Sequence, residues 1–355
     1  MSFRVIQWAT GGVGRAAIEA IRSHPELELV GCWVHSAEKV GQDAGELAGG
    51  PPLGVLATND VPTLLALQAD CVMYAPIVAD RNEVIRILES GKNVVTPLGW
   101  FFPGDRDVRD LEAACQTGGV TLHGTGIHPG GITERFPLMI SALSRAVTHV
   151  RAEEFSDIRT YDAPFVVGEI MRFGKTPEEA AESPMLNVLG GGFFESIDMV
   201  AQAMGFDLDP ERQTQHEVAV ATQPIDSPIG PIPPGRVAAQ RFTWEATVRG
   251  ETVISVRTNW FMGQEHLEPA WTFGPEGERF EVEVTGDPSA KVVIHGWHPE
   301  SIAAGLARNP GIVATAVHGV SAIPYVCQAE MGLKTYLDLP LVAGRAAPRL
   351  GRPPA

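Results

Sequence analysis

The sequence has no apolar run of the about 18 residues that a membrane-spanning helix requires, and it is poor in basic residues. Its 27 lysine and arginine residues are outnumbered by 43 aspartate and glutamate residues, which gives a formal net charge of -16. This balance excludes a general nucleic-acid binder, which needs clustered basic side chains to neutralise phosphates. It also excludes a polybasic protein of anionic membrane surfaces.

Cysteine is scarce as well. The chain has 4 cysteines and none forms a C-x-x-C pair, so the sequence indicates neither a disulfide scaffold nor a zinc ribbon. The N-terminus lacks the basic region, apolar segment and cleavage site of a signal peptide. We therefore expect a soluble protein of the reducing cytoplasm.

Strand-like and helix-like segments alternate over the first 124 residues. Strands that are apolar throughout and are separated by helices indicate parallel βαβ units, so the sequence predicts an α/β fold with a Rossmann-type doubly wound parallel sheet. After about residue 145, strands with alternating apolar residues at 241–248, 252–261 and 279–285 predict an α+β domain with an open antiparallel sheet. A helical stretch at 176–203 is interrupted by three consecutive glycines, Gly190 to Gly192.

Helical sequence returns after residue 299, which indicates that one domain is inserted into another. We predict a dinucleotide-binding domain at residues 1–145, completed by 300–355, and a substrate and dimerisation domain at 146–299. An open sheet has unpaired edges and a face that a second copy can cover, so we expect a homodimer.

A glycine turn joins the first strand to the first helix and fits the pattern G-x-G-x-x-G with alanine in the first place. A glycine at the second place lets the backbone approach a pyrophosphate, and the third lets the helix pack close to the strand. The free N–H groups of the helix N-terminus bind the anion. The alternative is a tight turn in an unrelated α/β protein. The predicted cofactor-binding residues of this turn are Thr10, Gly11, Gly12, Val13 and Gly14.

The end of the second strand indicates which dinucleotide is bound. An acidic residue at that position would hold the ribose 2′-hydroxyl of NAD, and this strand tip has none. His35 and Ser36 can donate hydrogen bonds and Lys39 adds a positive charge, which suits a 2′-phosphate. The sequence therefore favours NADP over NAD. The alternative is an ordinary exposed turn that contains a lysine.

Two further loops follow predicted parallel strands, at the edge where doubly wound sheets bind ligands. The first begins with Ala75 and Pro76 and the second with Thr96, and we predict cofactor contacts from all three. The second loop is unusually apolar and includes Trp100, Phe101 and Phe102. Such a surface lines either a nicotinamide or substrate pocket or a contact between domains.

The chain resembles the dihydrodipicolinate reductase superfamily, and within it the native NAD(P)-dependent amine dehydrogenases and 2,4-diaminopentanoate dehydrogenase. The resemblance spreads over nearly the whole chain and rests on residues 5–14, 39–47, 91–96, 124–130 and 334–340. It implies an NAD(P)-dependent oxidoreductase. It also implies substrate contacts from Thr125, Gly126 and Ile127.

Several positions depart from the patterns of these relatives. Ser156 and Asp157 stand where dihydrodipicolinate reductases carry a histidine pair, and Thr160 stands where they carry a lysine. In amine dehydrogenases, a glutamate in the loop after this strand activates ammonia or water. The loop after Thr96 lacks that glutamate. The resemblance therefore supports the oxidoreductase class more strongly than a particular substrate.

The reaction needs one protein group that handles a proton, in addition to the hydride chemistry of the cofactor. We predict His128 and Glu154 as the catalytic residues, because His128 follows a parallel strand and Glu154 lies near the reductase motif. The alternatives are a helix-start or loop histidine and a surface acid at a strand edge. Tyr161 is a predicted substrate contact, as is Trp100. Glu134 is interpreted as a helix N-terminal acid that complements the helix dipole.

His295 and His298 form an H-x-x-H pair. Glycine and proline beside them argue against a rigid metal site, and no further ligand completes the set, so we predict no metal.

The leading hypothesis is an NADP-dependent oxidoreductase acting on C=N or C=O bonds, most concretely an amine dehydrogenase that aminates small apolar ketones with ammonia. One alternative is a dihydrodipicolinate reductase-like enzyme that reduces another imine or a carbonyl. A second alternative is an NADP-binding protein without catalytic activity.

Overall fold

The computed structural model describes residues 2–104, 106–273, 277–347 and 349–351. The chain forms two compact units, Met1–Gly130 with Ile312–Ala355 and Gly131–Gly311. No described helix is both long and apolar enough to cross a membrane.

The elements follow in the order β1 (Phe3–Trp8), α1 (Gly12–Ser23), β2 (Leu27–Trp33), α2 (Ala44–Leu47), β3 (Ala57–Thr58), α3 (Val61–Ala66), β4 (Cys71–Tyr74), α4 (Arg81–Glu89), β5 (Asn93–Thr96), α5 (Arg109–Gly118), β6 (Thr121–Gly124), α6 (Phe136–Ser141), β7 (Arg145–Asp157), α7 (Pro177–Ala181), α8 (Met185–Met204), β8 (Arg212–Ala221), β9 (Val237–Val248), β10 (Glu251–Phe261), β11 (Leu267–Glu268), β12 (Arg279–Asp287), β13 (Ala290–Ile294), α9 (Ile302–Ala307), α10 (Pro310–Val326) and β14 (Gly332–Leu333).

The first unit contains a parallel sheet with the strand order β14-β6-β5-β4-β1-β2-β3. Its central strands are apolar on both sides because both faces of the sheet are covered. Ile6 of β1 packs in a core with residues of α3, α4 and α5. The neighbouring Val5 packs on the opposite face with Ala17 of α1 and Val320 of α10. The predicted doubly wound α/β sheet is confirmed.

The second unit contains a mixed sheet with the strand order β11-β8-β9-β10-β7-β12-β13. Its pairs are antiparallel except that β7 runs parallel to β10. The predicted antiparallel sheet is therefore wrong for this central pair. Parallel neighbours need a long crossover, and α7, α8, β8 and β9 lie between β7 and β10 along the chain.

Helix α8 passes through the three glycines without a break, so the predicted interruption is wrong. A Cβ on Gly190 would lie 2.9 Å from the indole nitrogen of Trp244. That indole donates a hydrogen bond of 2.9 Å to the carbonyl of Leu186, one turn earlier in the helix. Glycine is present because the buried Trp244 ring approaches the helix backbone closely.

Candidate active site

The glycine turn has the geometry of an anion-binding helix N-terminus. Gly11 precedes α1, and no described side chain caps the helix or places an acid in its first turn. A Cβ on Gly14 would lie 2.1 Å from the carbonyl oxygen of Ala9, so only glycine allows this packing of helix on strand. A Cβ on Gly11 would meet no atom within 4 Å, so the backbone there faces open space. Uncapped N–H groups beside open space fit a pyrophosphate.

The residues after β2 bring a positive charge to this turn. Lys39 ends a 3-10 turn, and its Nζ lies 3.3 Å from Oγ1 of the buried Thr10. His35 is exposed, and its ring lies 6.1 Å from that of Trp33. The structure therefore places Lys39 next to the predicted cofactor turn, with Ser36 half-buried in the same segment.

The other two predicted cofactor loops lie at the same edge of the sheet. Ala75 follows β4, and its N–H bonds the carbonyl of Trp8, the residue at the end of β1, at 3.1 Å. The next residues, Pro76 and then the exposed Ile77, extend this loop. The buried Thr96 ends β5, and its carbonyl accepts a hydrogen bond of 2.8 Å from Thr125.

The apolar loop after β5 packs mainly on the core of its own unit. Phe101 is buried, and Leu98 and Trp100 pack against the cluster formed by β1, β4, α4 and α5. Trp100 is half-buried and has a φ of 57°, in the left-handed region. Its contact with substrate remains a prediction.

The loop after β6 is tied to the C-terminal part of the chain. Thr125 and Tyr336 are joined by a hydrogen bond between their hydroxyl groups. The Tyr336 hydroxyl lies 3.1 Å from Nε2 of His318, whose Nδ1 lies 2.6 Å from the carbonyl oxygen of Gly126. Sequence reasoning did not single out His318 or Tyr336 as site residues. The only signal was that Tyr336 lies in one of the segments that carry the resemblance.

The predicted catalytic His128 lies in a tight turn of this loop. Ile127 is buried and forms a bridge with Gly130, and His128 is half-buried between them. The structure thus places His128 four residues beyond the end of β6, on the same loop as Thr125 and Gly126.

Glu134 lies in the first turn of a helical segment, as the sequence predicts, but its side chain does not reach the surface. It lies in a π-helical turn (Gly131–Arg135) and is completely buried. Its Oε1 accepts a hydrogen bond of 2.6 Å from Ser196 of α8. The pKa of Glu134 is raised to about 8, mainly because burial disfavours the charged carboxylate. The hydrogen bond from Ser196 lowers it and the nearby Glu195 raises it by smaller amounts. The helix-terminal position is therefore confirmed, but a carboxyl that is mostly protonated near neutral pH carries little charge to complement the helix dipole.

Glu154 lies within β7 in the second unit and belongs to a polar cluster. Its Oε1 accepts a hydrogen bond of 2.7 Å from Ser156, whose hydroxyl is also 3.1 Å from Nε2 of His298. Burial raises the pKa of Glu154 to about 6, partly offset by hydrogen bonds from Ser156 and Trp260. The structure thus places the His298 ring beside Ser156.

The remaining predicted residues have simpler surroundings. Tyr161 is half-buried after a 3-10 turn, and burial raises the pKa of its hydroxyl. His298 stacks on Phe280 with ring centres 5.1 Å apart, and burial lowers its pKa to about 4. Within the described ranges, no group of three His, Cys, Asp or Glu side chains is arranged to hold a metal ion.

Two protein-family models match this chain, one in its N-terminal part and one in its C-terminal part. A family model described as 2,4-diaminopentanoate dehydrogenase C-terminal domain matches residues 132–347. A model described as dihydrodipicolinate reductase, N-terminus, matches residues 5–94. The chain is 33% identical over 368 residues to an amine dehydrogenase of Streptomyces virginiae, with 98% of each chain covered.

Two more distant relatives support the same grouping. The chain is 26% identical over 235 residues to the 2,4-diaminopentanoate dehydrogenase of Acetoanaerobium sticklandii, covering 66% of this chain and 61% of that protein. The structure of an amine dehydrogenase from Mycobacterium smegmatis superposes with a TM-score of 0.76 at 21% identity, covering 97% of this chain and 98% of that one. This structural similarity shows that the two chains share a fold.

The parallel sheet, its glycine turn and these matches define the class of the protein, which is that of the NAD(P)-dependent oxidoreductases. Within this class, the chain belongs to the family of amine dehydrogenases and 2,4-diaminopentanoate dehydrogenases. The predicted resemblance and the predicted enzyme class are confirmed.

Proposed function

We propose that the protein is an NADP-dependent amine dehydrogenase that converts small, mostly apolar ketones and ammonia into primary amines. The observation that carries the proposal is the whole-chain similarity to an amine dehydrogenase, combined with a glycine turn that fits a pyrophosphate. When bound, the nicotinamide cofactor supplies the hydride. The protein supplies the binding site, the orientation of the ketone and the protons.

The preference for NADP rests on the turn after β2. Lys39 lies within 3.3 Å of the Thr10 hydroxyl, so its charge is held beside the turn in which the dinucleotide would bind. His35 and Ser36 add donors, and no acidic side chain follows β2 at the position that would hold a ribose hydroxyl in NAD enzymes. Gly11 to Gly14, Ala75, Pro76 and Thr96 would complete the cofactor site.

The preference for an apolar ketone rests on the first unit's loops. Ile127 and Trp100 offer apolar surface, while Thr125 and the backbone of Gly126 offer hydrogen-bonding groups. The sequence from Thr96 to Trp100 contains no cation that would select a substrate carboxylate. A mostly apolar lining with few polar groups is typical of sites for small uncharged molecules.

Two groups are proposed to handle protons. His128 lies on the loop after β6, and imidazole exchanges protons near neutral pH. Burial raises the pKa of the half-buried Glu154 to about 6, so part of its population is protonated near neutral pH. Tyr161 is proposed as a substrate contact in the second unit.

The test is NADPH oxidation with a panel of small ketones, measured with and without ammonium at alkaline pH. Turnover that depends on ammonium supports the proposal. Turnover that is independent of ammonium indicates carbonyl reduction instead. Tight NADPH binding with no turnover on any ketone indicates a cofactor-binding protein without catalytic activity.

We further propose a cytoplasmic homodimer that forms through the second unit. Its sheet ends in the short strands β11 and β13, and free cysteines throughout the described chain suit a reducing compartment. Light scattering during gel filtration measures the mass, and a mass near 38.0 kDa, that of one chain, would contradict the dimer.

A further inference from the structure

The buried side chain of Gln7 connects the first strand to the glycine turn. Gln7 lies in β1, two residues before Ala9, and is completely buried. Its Nε2 donates a hydrogen bond of 3.2 Å to the carbonyl oxygen of Trp8 and one of 3.0 Å to that of Ala9. Both acceptors are carbonyl groups, so the nitrogen of the side-chain amide must face them. The amide therefore ties the last residue of β1 to the first residue of the turn.

Ala9 adopts a backbone conformation that alanine disfavours. Its φ is 74°, in the left-handed region, where the Cβ of an L-residue comes too close to the following carbonyl oxygen. Glycine would adopt this conformation without that contact. The carbonyl of Ala9 lies against α1, because a Cβ on Gly14 would be only 2.1 Å from its oxygen. A strained residue thus lies at the point where the chain turns from strand to helix.

Hydrogen bonds hold both peptide groups of Ala9. Its N–H donates a bond of 3.0 Å to the carbonyl of Trp33 at the end of β2. Among the described hydrogen bonds, the amide of Gln7 is the only donor to its carbonyl oxygen. Loss of this donor would leave the N–H of Ala9 in place and release its carbonyl. Ala9 could then relax toward a negative φ, which alanine prefers.

The oxygen of the Gln7 amide shows that the amide is not needed for packing. Oε1 is buried and accepts no hydrogen bond within the described part of the chain. The strand neighbours of Gln7 are Cys32 in β2 and Met73 in β4, and both are completely buried. An apolar side chain of similar size would fit these surroundings without a buried acceptor that lacks a donor. The amide is therefore present for the hydrogen bonds that its nitrogen donates.

The conformation of Ala9 sets the direction of the backbone that follows it. The backbone at Gly11 faces open space, and α1 begins at Gly12. The N–H groups at this helix N-terminus are the donors that would bind a pyrophosphate. Rotation about φ of Ala9 would swing the following peptides, so these N–H groups would no longer point at one common place.

We propose that Gln7 is a positioning residue for the dinucleotide, which holds Ala9 in its left-handed conformation and so directs the N–H groups of the glycine turn at the pyrophosphate. This inference rests on the part of the proposed function that places the dinucleotide at this turn. Gln7 acts through the backbone of Ala9 and does not contact the ligand. NADPH and NADH share the pyrophosphate, so Gln7 serves both equally, whereas Lys39 serves only the 2′-phosphate of NADPH.

The first test is the variant Gln7→Met in the full-length protein, with dinucleotide binding measured by fluorescence titration. Methionine has a similar size and lacks both donors. We expect the Kd for NADPH and the Kd for NADH to rise by the same factor, about tenfold, because two hydrogen bonds that hold the turn are lost. The kcat at saturating NADPH should stay within about twofold, because the interaction acts on binding and not on the chemical step.

The second test is whether glycine at position 9 makes Gln7 dispensable. Glycine adopts a positive φ without steric cost, so the turn can keep its conformation without the amide. Gln7→Met should therefore raise the Kd at least about three times less in the Ala9→Gly background than in the unmodified background. Crystal structures without dinucleotide should show Ala9 outside the left-handed region in Gln7→Met, and residue 9 back inside it in the double variant.

Stability and a matched control distinguish positioning from a general effect on the fold. Gln7→Met also removes the buried oxygen without a donor, so its urea midpoint should be unchanged or higher while its affinity falls. Gln328→Met is the control, because the Gln328 amide donates a bond of 2.7 Å to the carbonyl of Pro324 in α10. It should leave both Kd values within about twofold. If Gln7→Met does not fold, Ala9→Val tests the same conformation, since a β-branched residue disfavours a positive φ and should weaken both dinucleotides equally.

Different results contradict the two proposals. A protein that binds neither NADPH nor NADH contradicts the proposed function and, with it, the role of Gln7. Binding in the unmodified protein combined with unchanged Kd values in Gln7→Met contradicts the role of Gln7 alone. A loss confined to NADPH, or a loss of the same size in the Ala9→Gly background, also contradicts that role alone.

Discussion

Glu134 provides a prediction whose size follows directly from the structure. The carboxyl is completely buried and accepts one hydrogen bond from Ser196, and burial raises its pKa from 4.5 to about 8. At about 1.4 kcal/mol per pKa unit, this interval corresponds to about 5 kcal/mol of unfolding free energy. Glu134→Gln removes the titration and keeps a side chain of the same shape that can accept from Ser196.

The sign follows from the two pKa values. Below pH 4.5 the carboxyl is protonated in both the folded and the unfolded chain, so the group adds no pH dependence. Above that pH only the unfolded chain releases the proton, which lowers the stability of the native protein until pH reaches about 8. Glu134→Gln should therefore gain stability relative to the native protein as pH rises through this window, by up to about 5 kcal/mol.

The assay is urea unfolding at closely spaced pH values between 4.5 and 8.5, followed by circular dichroism, with calorimetry as a second probe. Glu265→Gln is the matched control, because the side chain of Glu265 is 90% exposed. It should change neither the stability nor its slope with pH. Parallel stability curves for Glu134→Gln and the native protein would refute the assignment of a strongly raised pKa to Glu134.

Three further predictions concern the cofactor, the second unit and the core. Lys39→Ala should weaken NADPH binding by about 10- to 100-fold, since a charge-assisted hydrogen bond contributes about 1.5–3 kcal/mol, and should leave NADH binding unchanged; equal losses in a fluorescence titration would contradict this. Glu154→Gln should abolish the limb of the kcat/KM profile near pH 6, because burial raises the pKa of Glu154 to about 6, and an unaltered limb would assign it to another group. Gly190→Ala should destabilise the protein by about 1–3 kcal/mol in urea unfolding, because the added Cβ would lie 2.9 Å from Trp244; a smaller loss would mean that the indole moves away easily.

The features that the sequence predicts best are local in the chain. Strand, glycine turn and helix follow one another within residues 3–23, so the turn is recognisable from pattern alone. Lys39 is predictable for the same reason, since it follows the second strand closely. The parallel sheet is predictable because strands covered on both faces must be apolar throughout.

The features that the sequence does not predict depend on distant contacts. His318 and Tyr336 reach Gly126 and Thr125 across 192 and 211 residues, and no local pattern links them. Glu134 lies at the start of a helical segment as predicted, but its burial depends on a distant contact with Ser196 of α8. The three glycines resemble a helix break because their role, the close approach of Trp244, comes from another element.

The sequence does not predict the parallel pairing of β7 with β10, for a related reason. Alternation of apolar residues indicates which face of a strand is buried, but it does not indicate the direction of the neighbouring strand. That direction depends on the long connection between the two strands, which contains α7, α8, β8 and β9.

The most direct test of the central claim is the fate of ammonia nitrogen. Purified protein is incubated with NADPH, a small apolar ketone and nitrogen-15 ammonium, and the products are analysed by mass spectrometry while NADPH oxidation is followed. The proposed function predicts one nitrogen-15 amine for each NADPH oxidised, and no NADPH oxidation without ammonium. An alcohol product without nitrogen, formed at the same rate with or without ammonium, would contradict it.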